Sequence, residues 1–205
     1  MNRSEHKVSA FVHLVGAALA IVGLPVLIVV AAMEGTARHV VAFTIFGSTL
    51  VLLFLFSALY HAVKGPAKPV LKKIDCILIF WLIAGTYTPV CLVALGGTLG
   101  WTLVGINWGL AVVGTVNEAV AWKYHRAVSH ALYLAMGWLA LPAFAPVVKA
   151  LGGVGFALIL AGGFFYTGGL VFYAWKRLPH AHGIWHAFVL AGSICHFFSV
   201  LLFVR

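Results

Sequence analysis

Apolar runs of about twenty residues follow one another along almost the whole chain, with only short polar linkers between them, and this pattern limits the fold more than any single motif. Of the 205 residues, 63% are hydrophobic and 8% charged, so too little polar surface exists to cover a water-soluble globule. Each bilayer crossing takes about 20 apolar residues, and seven crossings joined by short loops consume nearly the full length. The spans are expected at roughly 9–32, 40–62, 74–95, 100–121, 129–148, 152–174 and 183–203. The sequence therefore reads as an all-α integral membrane protein, a single seven-helix transmembrane domain over residues 1–205 with no room for a soluble domain. The first eight residues precede an apolar run that lacks a small-residue cleavage site, which predicts a retained first helix and not a removed signal peptide.

A formal charge of +9 invites a nucleic-acid reading, but the thirteen Lys and Arg residues are dispersed among linkers and line no common face, so no nucleic-acid partner is expected. Their placement reports topology instead. Ten of them (Arg3, Lys7, Lys64, Lys68, Lys72, Lys73, Lys123, Arg126, Lys176 and Arg177) fall on one side of the seven spans, while Arg38, Lys149 and Arg205 fall on the other. The positive-inside rule then puts the N-terminus in the cytoplasm and the C-terminus outside. Cys76, Cys91 and Cys195 all lie within apolar runs and read as buried free thiols. Trp101, Trp138, Trp175 and Trp185 fall near expected helix ends, where an interfacial aromatic belt recruits some of them. Gly162-Gly163 and Gly168-Gly169 suggest close helix contacts, and Pro89 is expected to bend the third span.

Topology brings the polar residues together. Ser57 and His61 close span two, Asp75 opens span three, and His182 and His186 open span seven, so all five share the cytoplasmic leaflet. Histidine is costly in a bilayer, and an ionisable residue there is a functional-site hypothesis by default. His182 and His186 are four residues apart, on one helical face with Cβ atoms about 6 Å apart. Such a pair can grip one metal ion, and His61 from another helix would add a third nitrogen. Water in a fourth position would make this the pattern of catalytic zinc. Asp75 could then accept the proton of an activated water, while Ser57 orients that water or a substrate oxygen. The alternatives are plain ones: each histidine taken alone also reads as an interfacial residue bonded to a carbonyl or a lipid head group, and Asp75 as a partner of Lys72 or Lys73.

Other polar residues read differently. His196 lies ten residues beyond His186, about 15 Å along a helix, and suits a buried hydrogen bond. His13 and Glu5 could stand behind the metal ligands or gate the site, or be interfacial. Glu118 suits a helix contact. His6, His39, His125, His130 and His180 read as loop or interface residues.

With these residues identified, the sequence resembles the bacterial hemolysin III branch of the progestin and adipoQ receptor family along nearly its whole length. The likeness lies in Ser57-Ala-Leu-Tyr-His61, in Asp75 followed by Gly85-Thr-Tyr-Thr-Pro89, in Tyr133-Leu-Ala-Met-Gly137-Trp138, and in the run from His182-Gly-Ile-Trp-His186 through Ser193 to His196-Phe197. One departure is Ser9, which stands between Glu5 and His13 where this branch often carries Asn. The resemblance implies a seven-helix bundle with a cytoplasmic N-terminus in the bacterial plasma membrane. It implies a Zn2+ ion held by His61, His182 and His186, with Ser57 and Asp75 beside the zinc-bound water. It also brings two views of activity, because eukaryotic relatives are associated with zinc-dependent ceramide hydrolysis whereas the bacterial members are named after cell lysis and are linked to membrane-lipid homeostasis.

Three functions follow as expectations. The first is a membrane-embedded zinc hydrolase of a lipid amide or ester, with membrane lipids as partners and an acyl chain entering between helices. The second is a hemolysin-like pore or channel, which the largely apolar outer leaflet disfavours for a monomer. The third is a receptor or membrane-state sensor with structural zinc.

Overall fold

The computed structural model describes residues 3–33, 35–175 and 177–205. Lys176, counted above among the basic residues, lies outside them, as do Met1, Asn2 and the side chain of Arg3. The described residues form seven α-helices: α1 Arg3–Met33, α2 Ala37–Ala62, α3 Lys68–Pro89, α4 Gly97–Val120, α5 His125–Gly137, α6 Phe144–Ala174 and α7 Ala181–Phe203. Pro89 ends α3, and Val90–Leu95 continues as a π-helical turn. A proline lacks the N–H that an α-helix needs, and a wider turn absorbs the mismatch.

Six described segments are long and apolar enough to cross a membrane, and one of them, His125–Ala174, runs for 50 residues. A straight helix of that length would measure about 75 Å, more than twice a hydrocarbon core. The segment instead folds back on itself. Gly152 has φ 68° and ψ 173°, a conformation that breaks α6 and that glycine adopts without Cβ strain. The rings of Phe144 and Phe156 meet at 4.8 Å, although a straight helix would hold them about 18 Å apart. Trp138 Nε1 donates to Thr167 Oγ1 at 3.1 Å and the rings of His130 and Tyr173 lie 5.1 Å apart, so 125–151 and 153–174 run antiparallel. The sequence-based break between 148 and 152 falls at this turn. The continuous helix expected over 129–148 does not form, because α5 stops at Gly137 and a short 3-10 turn, Leu141–Ala143, follows.

The same alternation runs through the bundle. α3 and α4 are antiparallel, with Lys73 Nζ on Ala119 O and Trp108 Nε1 on Thr88 Oγ1. α6 and α7 are antiparallel too, with Tyr166 OH on Ser193 Oγ and Ser199 Oγ donating to Gly155 O. α7 closes the array beside α1 and parallel to it, since His13 meets His186 and Gly23 meets Phe197. One end of the bundle therefore collects the N-termini of α1, α3, α5 and α7 and the C-termini of α2, α4 and α6. Phe43, Phe46, Phe54 and Leu27 fill the core, while Phe11, Val22 and Phe164 are exposed on outward faces that suit lipid better than water.

Glycines set how closely helices approach. A Cβ at Gly162 would lie 2.3 Å from the His196 ring, and one at Gly192 would lie 3.0 Å from Gly162 O, so the α6–α7 contact depends on both. Trp101 and Trp175 are exposed, whereas Trp138 and Trp185 are half-buried. A Cβ at Gly100 would lie 2.0 Å from the Cys91 carbonyl oxygen, backbone that cannot swing away, while one at Gly105 meets open space. Gly100→Ala is expected to cost about 1–3 kcal/mol and Gly105→Ala to gain up to about 1 kcal/mol; thermal unfolding in detergent compares the two directly.

Candidate metal centre

α1 begins at Arg3, before its apolar run, and this carries His6 onto the helix. His6 and His13 are seven residues apart, two helical turns, and so share a face. That face meets the C-terminal turns of α2 and the N-terminal turns of α7. His13, His61 and His186 are all buried, and one nitrogen from each lies within 4.8 Å of the other two. His182 stands beside them, half-buried, its ring 4.5 Å from that of His186 and 5.6 Å from that of His61.

The hydrogen bonds sort the nitrogens. His186 Nδ1 pairs with His13 Nε2 at 2.7 Å, and His61 Nδ1 pairs with His6 Nδ1 at 3.1 Å. The Nε2 atoms of His61 and His186 and the Nδ1 atom of His13 are buried with no protein partner. Buried imidazole nitrogens without partners are costly unless something binds there. In the tautomer in which His186 Nδ1–H donates to His13 Nε2, His186 Nε2 carries a free lone pair; a metal-bound histidine uses its two nitrogens in this way. Neutral nitrogen donors fit Zn2+, for which tetrahedral ligands stand about 3.4 Å apart, so modest ring rotations would close the cluster on an ion. Trp185 packs against His186 with ring centroids 4.4 Å apart and limits its motion.

Ser57 is buried on α2 beside the Asp75 carboxyl of α3. The two are neighbours without a hydrogen bond of normal geometry, and Ser57 Oγ makes no other. Both line a cavity of about 770 Å³ whose wall also contains His13, His182 and His186. The cavity continues past Leu53, Leu82, Phe144, Phe156 and Ile159, and it falls within the range of about 300–1,000 Å³ typical of small-molecule sites.

Other residues singled out in the sequence settle elsewhere. His196 Nε2 bonds to Ile159 O at 3.1 Å, and Glu118 accepts from Ser129 Oγ at 2.5 Å, tying α4 to α5. Tyr133 OH donates to Cys76 O, and Tyr87 OH to Gly137 O, so two of the motifs quoted above join α3 to α5. His130, expected at a loop or interface, is in the cavity wall, as is Glu5. His39 sits at the start of α2 against Thr36, and His125 bonds to Trp122 O. All three cysteines are free thiols.

Fold and site together define a multi-pass α-helical membrane protein with a buried three-histidine cluster that could hold a metal ion. The chain belongs to the Haemolysin-III related family, which it matches over residues 1–197. It is 44% identical to "Hemolysin-3" of Bacillus cereus over 201 residues, 98% of this chain and 92% of that protein. It is likewise 44% identical over 200 residues to the "Hemolysin-3 homolog" of Bacillus subtilis (strain 168), covering 97% and 94% of the two chains. A more distant likeness, 28% over 165 residues, covers 76% of this chain and 67% of the human "Monocyte to macrophage differentiation factor".

Proposed function

We propose that this protein is a zinc-dependent hydrolase of a lipid amide or ester, acting within the bacterial plasma membrane. The observation that carries this reading is a single cavity in which Ser57 and Asp75 share the wall with His13, His182 and His186 before it continues as an apolar channel. In our reading the chain crosses the membrane seven times, because the hairpin turned at Gly152 makes two passes of His125–Ala174. The excess of basic residues at the histidine end supports a cytoplasmic location for that end.

His61 and His186 offer their free Nε2 atoms to the ion. His182 is the third donor, standing in the cavity wall with its ring 4.5 Å from that of His186, while His13 bonds through Nε2 to His186 Nδ1. A zinc ion held there supplies Lewis acidity and makes water acidic enough to react near neutral pH. The remaining work belongs to the chain. The apolar channel takes the acyl chain and excludes bulk water. Asp75 accepts the proton as the water oxygen bonds to the lipid carbonyl carbon, and Ser57 donates to the oxygen that gains charge. The bond to the amine or alcohol then breaks, that leaving group takes the proton from Asp75, and a fatty acid remains.

His13 acts from behind His186. His13→Ala is expected to weaken zinc binding about 10–100-fold while leaving one ion per chain at saturation; competition with a chelator measures this. A protein that instead holds zinc normally in His182→Ala and loses it in His13→Ala would make His13 the ligand. The function is tested with zinc-loaded protein in nanodiscs, following fatty-acid release from a panel of amide- and ester-linked lipids by mass spectrometry. Release that stops on chelation and resumes with zinc supports hydrolysis, whereas a zinc-loaded protein inert on the whole panel but destabilised by chelation would be a structural zinc protein.

A further inference from the structure

A second cavity, of about 640 Å³, lies at the same end of the bundle, lined by Lys68, Lys72 and Lys73 of α3 and by His125 and Arg126 of α5. Its cations are not equivalent. Lys68 Nζ donates to Tyr60 O at 3.0 Å and Val63 O at 3.2 Å, where α2 ends, and Lys73 Nζ donates to Ala119 O at 3.2 Å, where α4 ends. These two cap the negative ends of helices. The carboxylate in this wall, Glu118, is engaged by Ser129.

Lys72 and Arg126 do something else. Both line the basic cavity and the histidine cavity, together with Tyr60, Cys76 and Glu118, so the two cavities share a wall and these two cations stand in it. Asp75 and Tyr173 stand with them in the wall of the histidine cavity. A guanidinium fork and a point-charge ammonium suit a phosphate group. Beside them the apolar channel suits an acyl chain. A lipid without a phosphate would offer neither cation an anionic ligand.

We propose that Lys72 and Arg126 bind the phosphate of an anionic lipid whose acyl chain occupies the histidine cavity. This names a substrate class for the site and rests on the hydrolase reading for its chemistry, but not for its binding. Binding is measured on the full chain carrying Asp75→Asn, which needs no turnover, in detergent with added phosphatidylglycerol or the phosphate-free diacylglycerol and native mass spectrometry as the readout. Phosphatidylglycerol is expected to bind at least tenfold more tightly than diacylglycerol. That preference should vanish in Lys72→Gln/Arg126→Gln and persist in Lys64→Gln/Lys123→Gln, which removes two linker charges that line neither cavity. Zinc content of each variant reports its fold. An unchanged preference in the first double variant, or an equal loss in the second, overturns the proposal, the latter by reducing it to general surface charge. Inorganic phosphate that competes at equal concentration would make the ligand a free anion and overturn the lipid assignment. If phosphatidylglycerol binds as expected while the zinc-loaded wild type releases no fatty acid, the hydrolase reading fails and this site stands.

Discussion

His186→Ala is expected to purify without stoichiometric zinc, losing well over the 100-fold in affinity that removal of a supporting hydrogen bond would cost. His186 is the node of the cluster. Its ring lies 4.2 Å from that of His13, 4.9 Å from that of His61 and 4.5 Å from that of His182, so its loss removes the element that all the others share. It is also buried, and truncation leaves a void that on its own costs about 2–5 kcal/mol. His186→Gln keeps most of the volume and separates the two effects. Elemental analysis after gel filtration should show about one zinc per chain in the wild type and little in either variant. Zinc at wild-type stoichiometry in both would place the ion outside this cluster.

The second large effect concerns Asp75. Asp75→Asn is expected to keep zinc and lower turnover about 10²–10⁴-fold, the usual contribution of a positioned proton acceptor. The expectation follows from placement: Asp75 is in the cavity wall beside Ser57, and no nitrogen of the histidine cluster is hydrogen-bonded to it. Loss in kcat with little change in KM would mark a group acting on the reacting atoms. Ser57→Ala should cost less, because it removes a hydroxyl donor and leaves the acceptor in place. Equal loss of zinc and turnover in Asp75→Asn would mean that the carboxylate holds the metal, directly or through its ligands.

Much of the architecture was legible because lipid demands long apolar helices and short linkers, and hydropathy reads both. The break before residue 152 was legible as well, since Lys149 and Gly152-Gly153 interrupt the apolar pattern where the chain turns. The shortness of α5 was not. Hydropathy reports what a segment is immersed in, and Leu141-Pro142-Ala143 remains apolar while its proline favours the start of a new helix. At the site, the four-residue spacing of His182 and His186 pointed to one helical face, and the structure sets both rings beside His61. His6 and His13 were harder to place because α1 extends beyond its apolar run by several polar residues. Their seven-residue spacing was the available signal. It puts both on the face that meets His61 and His186, but only the packing of α1 against α2 and α7 shows what that face touches. The wall shared by Lys72 and Arg126 was not legible either, since it depends on α3 and α5 meeting across α4.

If histidine nitrogens from separate helices hold a metal ion inside this bundle, X-ray absorption at the zinc edge of the purified protein will register them. The expected spectrum has nitrogen or oxygen neighbours at about 2.0–2.1 Å with the outer-shell scattering of imidazole rings and no sulfur shell. A sulfur shell near 2.3 Å, or a protein that takes up no zinc when metal is supplied, would contradict such a site.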